Sequence, residues 1–237
     1  HALPIFEDAG IALTLTCTTP ALPDDIAILS RPVTYLSAEA RSTDGREHAV
    51  QMYVDACGEL AVNEPKQEVV WADEPRDGLA VLKIGSKDQP VLMKKGDDIR
   101  IDWGWLYVAA PKASVASAAF APRGAADRAF TAGGGLPAAP EMPAAADAVA
   151  AAVTIDLGRV GPAPTARWLM FAYDDLYSIQ YMKSDLRPYW RRNGWEAADL
   201  LKASAAEYDA LAKRCAAFDD ELMADLRTAG GERYAKL

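Results

Sequence analysis

The sequence predicts a mainly β protein that ends in α-helix: an antiparallel β-sandwich over residues 1–173, followed by a helical segment over residues 174–237. Apolar side chains alternate with polar or smaller ones along several short segments, which is the period of a strand with one buried face. Turn-forming residues separate these segments. After Tyr173 the apolar spacing changes to three, four or seven residues, which is the pattern of an amphipathic helix.

About nine strands are predicted before the helical segment. Within residues 10–18, Ile11, Leu13 and Leu15 alternate with alanine and threonine. The strands at 33–41 and 48–56 flank Asp44 and Gly45, and an Asp-Gly pair favours a hairpin because glycine tolerates positive φ. So many short strands without intervening helices predict a sandwich or barrel, not parallel βαβ units. The remaining predicted strands are 68–72, 79–84, 99–109, 115–120, 153–157 and 167–173.

Between residues 111 and 152 the sequence becomes rich in alanine, glycine and proline, which predicts an exposed insertion in the sandwich. The glycine triplet at 133–135 is not a phosphate-binding loop, because no Lys-Ser/Thr pair follows it and it does not join a strand to a helix.

The C-terminal pattern predicts one long helix. Asn193 is suited to cap a helix that starts near Trp195 and runs to Gly230 and Gly231, with a further helical segment over 232–237. A helix this long cannot bury its own apolar stripe, so it needs a sheet face or partner helices, and we expect the rest of a helical domain to supply some of them. The stripe consists of Leu201, Tyr208, Leu211, Cys215, Phe218, Leu222 and Leu226.

Composition excludes several classes of function. A net charge of −9 argues against a nucleic-acid or anionic-membrane partner, because either needs a basic face. No apolar run is long enough to span a bilayer. His48 is the only histidine after His1, so neither a histidine triad nor a metal site is expected, and no cofactor motif is present. Three widely spaced cysteines, at 17, 57 and 215, predict small buried side chains and not a disulfide framework.

Two adjacent carboxylates are the main candidates for chemistry. Asp174 and Asp175 lie where the strand pattern gives way to the helical one, close to Tyr177 and two other tyrosines. Such a pair is suited to bind a polar ligand or to share one proton between two groups. The alternative is helix capping, in which an aspartate accepts hydrogen bonds from free backbone N–H groups.

The segment 187–195 is dense in arginine and aromatic side chains. Arg187, Tyr189 and Trp190 are candidates for binding an anionic group, because the arginine guanidinium matches a carboxylate. The same residues are equally suited to lock the sandwich to the helical segment, which is the interpretation we favour. Pro188 prevents a continuous helix and makes the segment a connector.

An aromatic row is predicted on the 99–109 strand. Alternation places Trp103, Trp105 and Tyr107 on one face, and such a row is suited to stack against a sugar. In a sandwich the same pattern more often packs in a core or between domains, and this is the reading we favour.

Several longer runs resemble the glutaminase A family of fungi and bacteria. They are RPVTY at 31–35, RSTDG at 41–45, GDDIRIDWG at 96–104, DDLYSIQY at 174–181 and LRPYW at 186–190. The resemblance covers nearly the whole chain in consistent order, except 111–152. It implies a supersandwich-like N-terminal domain followed by an α/α-toroid, the helical fold of six-hairpin glycosidases, of which this chain would hold the first helices.

The resemblance further implies a secreted enzyme that hydrolyses L-glutamine to L-glutamate and ammonia. On this view the chain is the N-terminal portion of that enzyme, its substrate is a small molecule, and its partner is the remainder of its own helical domain. The family resemblance assigns no catalytic residue here, so Asp174 and Asp175 rest on the residue argument alone. Two alternatives stay open: a carbohydrate-binding or accessory module, and a glycoside hydrolase, since fold does not settle chemistry.

Overall fold

The computed structural model describes residues 5–236, so the predictions for 1–4 and 237 lie outside the described residues. The strands are β1 (Ile5–Asp8), β2 (Ile11–Thr18), β3 (Val33–Ser42), β4 (His48–Cys57), β5 (Glu68–Asp73), β6 (Leu79–Ser86), β7 (Trp105–Pro111), β8 (Val115–Pro122), β9 (Ala144–Ala145), β10 (Val149–Val160), β11 (Thr165–Asp174), β12 (Ile179–Tyr181) and β13 (Ser184–Leu186). The α-helices are α1 (Ile26–Leu29), α2 (Ala125–Thr131) and α3 (Ala197–Ala235).

Two antiparallel sheets form the body of the molecule. The large sheet has the strand order β1-β2-β3-β11-β7-β6-β5-β9, and the small sheet has the order β4-β10-β8. One apolar core lies between them, in which Leu82 and Val108 of the large sheet meet Val153 and Ile155 of the small one. The predicted fold class, an antiparallel β-sandwich followed by a helix, is confirmed.

The large sheet is covered on both faces. Along β6, β7 and β11 one set of alternate residues packs into the sandwich core, and the other set packs against α3 in a second core. Leu169 and Met170, for example, are neighbours in sequence, both fully buried, and belong to different cores. Strands buried on both faces carry apolar side chains at successive positions, which explains why these segments are so hydrophobic.

Helix α3 begins slightly later than predicted. Glu196 is the residue before the first turn, its side chain accepts from the backbone of Asp199, and the Asp199 carboxylate accepts from the N–H of Glu196 at 3.0 Å. This reciprocal capping box satisfies two N–H groups that the helix start leaves free. The prediction that Asn193 caps the helix is therefore wrong. Gly231, with φ 78°, interrupts the helix close to the predicted break.

The prediction of an exposed insertion at 111–152 is wrong at both ends of that range. Phe120 and Ala121, near the end of β8, are buried. Ala146 and the first residues of β10, Val149 to Ala152, are almost fully buried in the sandwich. The short strand β9 adds to the edge of the large sheet beside β5. Alanine has low strand propensity, but its small side chain suits the close contact between two sheets. Exposed residues dominate only around the glycine triplet and the prolines that follow.

The predicted strand 99–109 is also too long, because β7 starts only at Trp105. Gly104 adopts φ 79°, which turns the chain out of the strand direction. The cysteines are all free thiols, but Cys17 is exposed and Cys57 only half-buried, so the prediction of three buried cysteines holds for Cys215 alone. Within residues 5–236, no helix has the length and apolar character needed to cross a bilayer.

Candidate functional site

The centre of the candidate site is a buried ion pair where β11 ends. Asp174 receives two parallel hydrogen bonds from the guanidinium of Arg191: Nε donates to Oδ1 at 3.2 Å, and Nη2 donates to Oδ2. Both side chains are almost completely buried, with 3% and 1% of their surface exposed. Asp174 also accepts from the N–H of Leu176 at 3.0 Å, which holds that residue at a positive φ of 58°. Its carboxylate is therefore fully engaged.

A second carboxylate extends this ion pair towards α3. Arg191 Nη1 donates to Glu196, and to the carbonyl oxygen of Trp195 at 3.2 Å. Arg187 Nη2 binds the other side of Glu196 at 3.0 and 3.3 Å. The hydrogen bond from Arg191, followed by that from Arg187, lowers the pKa of Glu196. A chain of charges thus joins the end of β11 to the first turn of α3.

The segment before β7 touches the same strand end through the backbone. Trp103 Nε1 donates to the carbonyl oxygens of Asp175 and Tyr177, at 2.7 and 3.1 Å. The Tyr173 hydroxyl donates back to the carbonyl oxygen of Trp103 at 2.7 Å. A Cβ at Gly104 would lie 2.0 Å from the carbonyl oxygen of Asp174. Only glycine permits this close approach of the two chain segments.

Asp175 differs from its neighbour. Burial, reinforced by the nearby charge of Asp174 and partly offset by that of Arg191, raises the pKa of its carboxyl group. A hydrogen bond from the Ser178 side chain acts in the opposite direction. Of the two candidate carboxylates, Asp175 is the one suited to hold and release a proton, because Asp174 is committed to Arg191.

The three aromatic candidates of the connector lie in different environments. Tyr177 and Tyr189 are exposed, by 37% and 45%, and Arg192 stacks over the ring of Tyr189 at 4.3 Å. Trp190 is buried beneath the guanidinium of Arg191, 4.5 Å from its ring centre. Arg187 is half exposed beside Glu196. Tyr177, Tyr189 and Arg187 can therefore meet a solute, whereas Trp190 supports the ion pair from below.

The hairpin of β12 and β13 projects from the connector and is apolar on its surface. Its exposed large side chains are Ile179, Tyr181, Met182 and Leu186, with Met182 82% exposed. Its backbone is paired only within itself. Single exposed apolar residues are ordinary, but four on one short hairpin mark a surface suited to contact another apolar surface.

The predicted aromatic row does not form a sugar platform. Trp103 is 7% exposed and points at backbone carbonyls. Trp105 and Tyr107 do share a face, but it is the face of the large sheet that packs against α3. The Lys83 ammonium lies 4.3 Å from the Trp105 ring centre. The alternative of core packing is correct for this row.

A further buried carboxylate, Asp102, lies in the segment just before β7. The side chain of Asp102 is fully buried and binds Lys94 Nζ at 2.6 Å and Gln67 Nε2 at 3.0 Å through one oxygen. Its other oxygen has no hydrogen-bond partner. Among residues 5–236 no group of histidine, cysteine and acidic side chains is arranged to hold a metal ion.

The comparison with protein families identifies one family for this chain. Residues 4–225 match a protein family described as a domain of unknown function, DUF5127. The chain belongs to the DUF5127 family. No curated protein matches it. The match spans both cores and most of α3, so the DUF5127 domain includes the sandwich, the connector and the helix packed on the sheet.

Sequence reasoning found part of this DUF5127 site and missed part. It selected Asp174, Asp175, Arg187, Tyr189, Trp190 and Tyr177 as candidates. It passed over Arg191 and Glu196, which complete the charge chain, and Gly104, which permits the backbone contact. Helix capping by Asp174 is also wrong, since α3 starts at Ala197 and the carboxylate instead caps the turn at Leu176. A Glu-x-x-Asp pattern at 196–199 was the available signal for the helix start.

Proposed function

We propose that this DUF5127 domain is the N-terminal portion of a secreted, glutaminase-like amidohydrolase that converts L-glutamine and water to L-glutamate and ammonia. One observation carries the proposal: two of the runs that resemble the glutaminase A family, at 96–104 and 174–181, meet at one place, and the residue after the third run, at 186–190, binds there too. Trp103 and Gly104 of the first run contact the backbone of Asp174 and Asp175 in the second. Arg191, which follows the third run directly, binds Asp174. Runs that resemble a family and also pack together are a better basis for transfer than isolated motifs.

In this proposal the domain acts mainly through positioning. The charge chain from Asp174 through Arg191 to Glu196 sets where α3 starts, and α3 and the exposed hairpin provide surfaces for the remainder of the helical domain. That domain is proposed to be an α/α-toroid. The sandwich is then the base on which the toroid sits.

Amide hydrolysis requires an activated water and donors that stabilise the developing oxyanion. Asp175 is the carboxylate of this domain best suited to receive a proton from water, since its pKa is raised by burial. Arg187, Tyr177 and Tyr189 lie exposed along the connector and are suited to bind the substrate carboxylate or amide. Asp174 and Trp190 are positioning residues, because the first is saturated by Arg191 and the second is buried.

The decisive experiment is a substrate screen on the longest natural polypeptide that contains this chain. We expect ammonia release from glutamine and no release of sugar from a panel of glycosides. Sugar release without ammonia release would replace the proposal with a glycoside hydrolase. Turnover of neither substrate class would contradict both.

The role of Asp175 is tested in the same polypeptide. Asp175→Asn should reduce kcat for glutamine by about a hundredfold, the usual size of a general-base contribution. Asp73→Asn is the matched control, because burial also raises the pKa of Asp73, which lies on β5, separated from β11 by two strands. Unchanged turnover in Asp175→Asn would show that Asp175 is structural.

A further inference from the structure

A groove runs beside the second half of α3. It has a volume of about 500 Å³ and lies between the helix and the chain segment that precedes α1. Its apolar lining comes from Leu22 and Pro23 on one side and from Phe218 and Leu222 on the other. Leu222 is 45% exposed although it continues the apolar stripe of the helix.

The rim of this groove is acidic. Asp24, Glu221 and Asp225 line it, together with a single basic residue, Arg214. Arg214 is already paired, because its Nη2 lies 2.9 Å from Oδ2 of Asp25 at the start of α1. The helix from Phe218 to Asp225 carries four acidic residues and no basic one. The rim charge is therefore not neutralised by arginine or lysine on the same helical segment.

The wall of the groove is straight because one side is a helix. Phe218 and Leu222 stand one helical turn apart, as do Glu221 and Asp225 beside them. An apolar line bordered by a line of carboxylates is the complement of an amphipathic helix with basic residues beside its apolar stripe. A second copy of this chain does not fit, since the net charge is −9 and the same carboxylates would face each other.

We infer that this groove seats an amphipathic helix that carries lysine or arginine next to its apolar stripe. The inference deepens the proposed function, since such a helix would belong to the helical domain that covers α3. The two can fail separately, because binding in the groove requires no turnover of glutamine.

The test uses a fluorescein-labelled helical peptide with leucine along one stripe and lysine on both sides of it. Fluorescence anisotropy should show saturable binding to the whole chain that weakens as salt increases, because charge at an exposed rim is screened. The same peptide with glutamate in place of lysine should not bind. Equal binding of both peptides, or binding of neither, would overturn the inference.

Two double variants distinguish binding in the groove from general attraction of a basic peptide to an acidic protein. Glu221→Lys with Asp225→Lys should weaken binding of the lysine peptide about tenfold. The matched control is Glu47→Lys with Glu64→Lys, which changes the net charge equally at exposed positions elsewhere. Equal weakening by both double variants would mean that the peptide responds to the net charge of the protein, and the groove assignment would be wrong.

The apolar part is tested in the same way. Leu222→Ser should also weaken binding about tenfold, and Leu60→Ser, at a leucine that is 62% exposed, should not. All four variants change exposed positions, and circular dichroism checks that each remains folded. If sedimentation instead shows that the chain dimerises and loses this in Leu222→Ser, a second copy occupies the groove and the basic-helix inference is overturned.

Discussion

The two halves of α3 belong to one helix and carry one apolar stripe, but they differ in burial. From Ala197 to Cys215 the stripe is buried in the second core, with Leu200, Leu201 and Leu211 almost inaccessible. Over the described residues from 216 to 236 no side chain is fully buried. The spacing of apolar residues thus predicts which face of a helix is apolar, but the sheet packed against that face determines how much of it is buried.

Specific contacts fasten the first half to the sheet. The Tyr35 hydroxyl on β3 donates to the carbonyl oxygen of Ser204 at 2.9 Å. The rings of Trp168 on β11 and Tyr208 on α3 stack with their centres 4.5 Å apart. Arg31, just before β3, binds Glu207 at 2.7 Å. In the second half, Phe218 packs at the edge of the second core and lines the groove together with Leu222. The Arg214–Asp25 pair lies just before this half.

The largest effect is expected where the charge chain holds the helix start. Arg191→Ala leaves Asp174 buried without its counter-charge, which should lower the free energy of unfolding by about 3–5 kcal/mol. Urea unfolding followed by circular dichroism measures the loss. Arg192→Ala, at an exposed neighbouring arginine, is the control and should change stability little. A loss in Arg191→Ala no larger than in the control would show that the buried ion pair does not stabilise the start of α3.

A leucine in each half compares the two directly. Leu201→Ala should cost about 2–5 kcal/mol, because it removes a fully buried side chain and leaves a cavity. Leu222→Ala should change stability by less than about 0.5 kcal/mol, since its side chain is exposed. Because both variants replace leucine by alanine in one helix, the change in helix propensity is the same. The difference between the two losses of stability therefore reports burial. Similar losses at both positions, measured by urea unfolding, would show that the second half is covered after all.

A smaller effect is expected at Asp175, and it depends on pH. The folded-state pKa of this carboxyl is raised, so its contribution to stability is greatest below the ordinary aspartate pKa of 3.8 and is lost as pH rises through the folded-state pKa. Asp175→Asn removes the charge and should be the more stable protein at pH 7, by about 1 kcal/mol. The advantage should shrink as pH falls towards 4. An advantage that is constant with pH would exclude a buried charge as its cause.

A small effect is also expected from the exposed ion pair at the wall of the groove. Arg214→Ala removes a largely exposed ion pair and should cost no more than about 1 kcal/mol. The hydrogen bond from Arg214 lowers the pKa of Asp25, so the contribution of this pair is present above the ordinary aspartate pKa and is lost as pH falls through the folded-state value. The free energies of unfolding of the two proteins, measured by urea titration, should therefore differ at pH 7 and become equal at low pH. A large loss at neutral pH would mean that the packing of α3 depends on this pair.

Local patterns predicted the strands and the helix well, because period and turn chemistry are local properties. The turn at Asp44 and Gly45 and the long helix to Gly230 depend on neighbouring residues. The hairpin predicted at that turn is nevertheless wrong, because β3 pairs with β2 and β11 whereas β4 pairs with β10 in the other sheet. The buried alanine strand at 149–152 was missed because its burial depends on a second sheet that no local pattern shows. The same limit applies to β9, which pairs with a strand far away in sequence.

The candidate site was predictable in location but not in connectivity. The paired carboxylates marked the end of β11. The helical segment predicted from residue 174 is wrong for its first part, because the hairpin of β12 and β13 and the connector precede the start of α3 at Ala197. Nothing in the sequence ranked Arg191 above Arg187 or Arg192 as the partner of Asp174, since the choice depends on which guanidinium the fold buries. Likewise, Trp103 looked like part of an aromatic row until the turn at Gly104 rotated it towards the connector.

The close approach at Gly104 has a consequence for how the helix is aimed. Because main chain touches main chain there, with no side chain between, van der Waals contact limits the paths that the polypeptide can take as it leaves β11. Replacing connector side chains therefore changes how firmly α3 is held, but it does not remove this backbone contact at the end of β11.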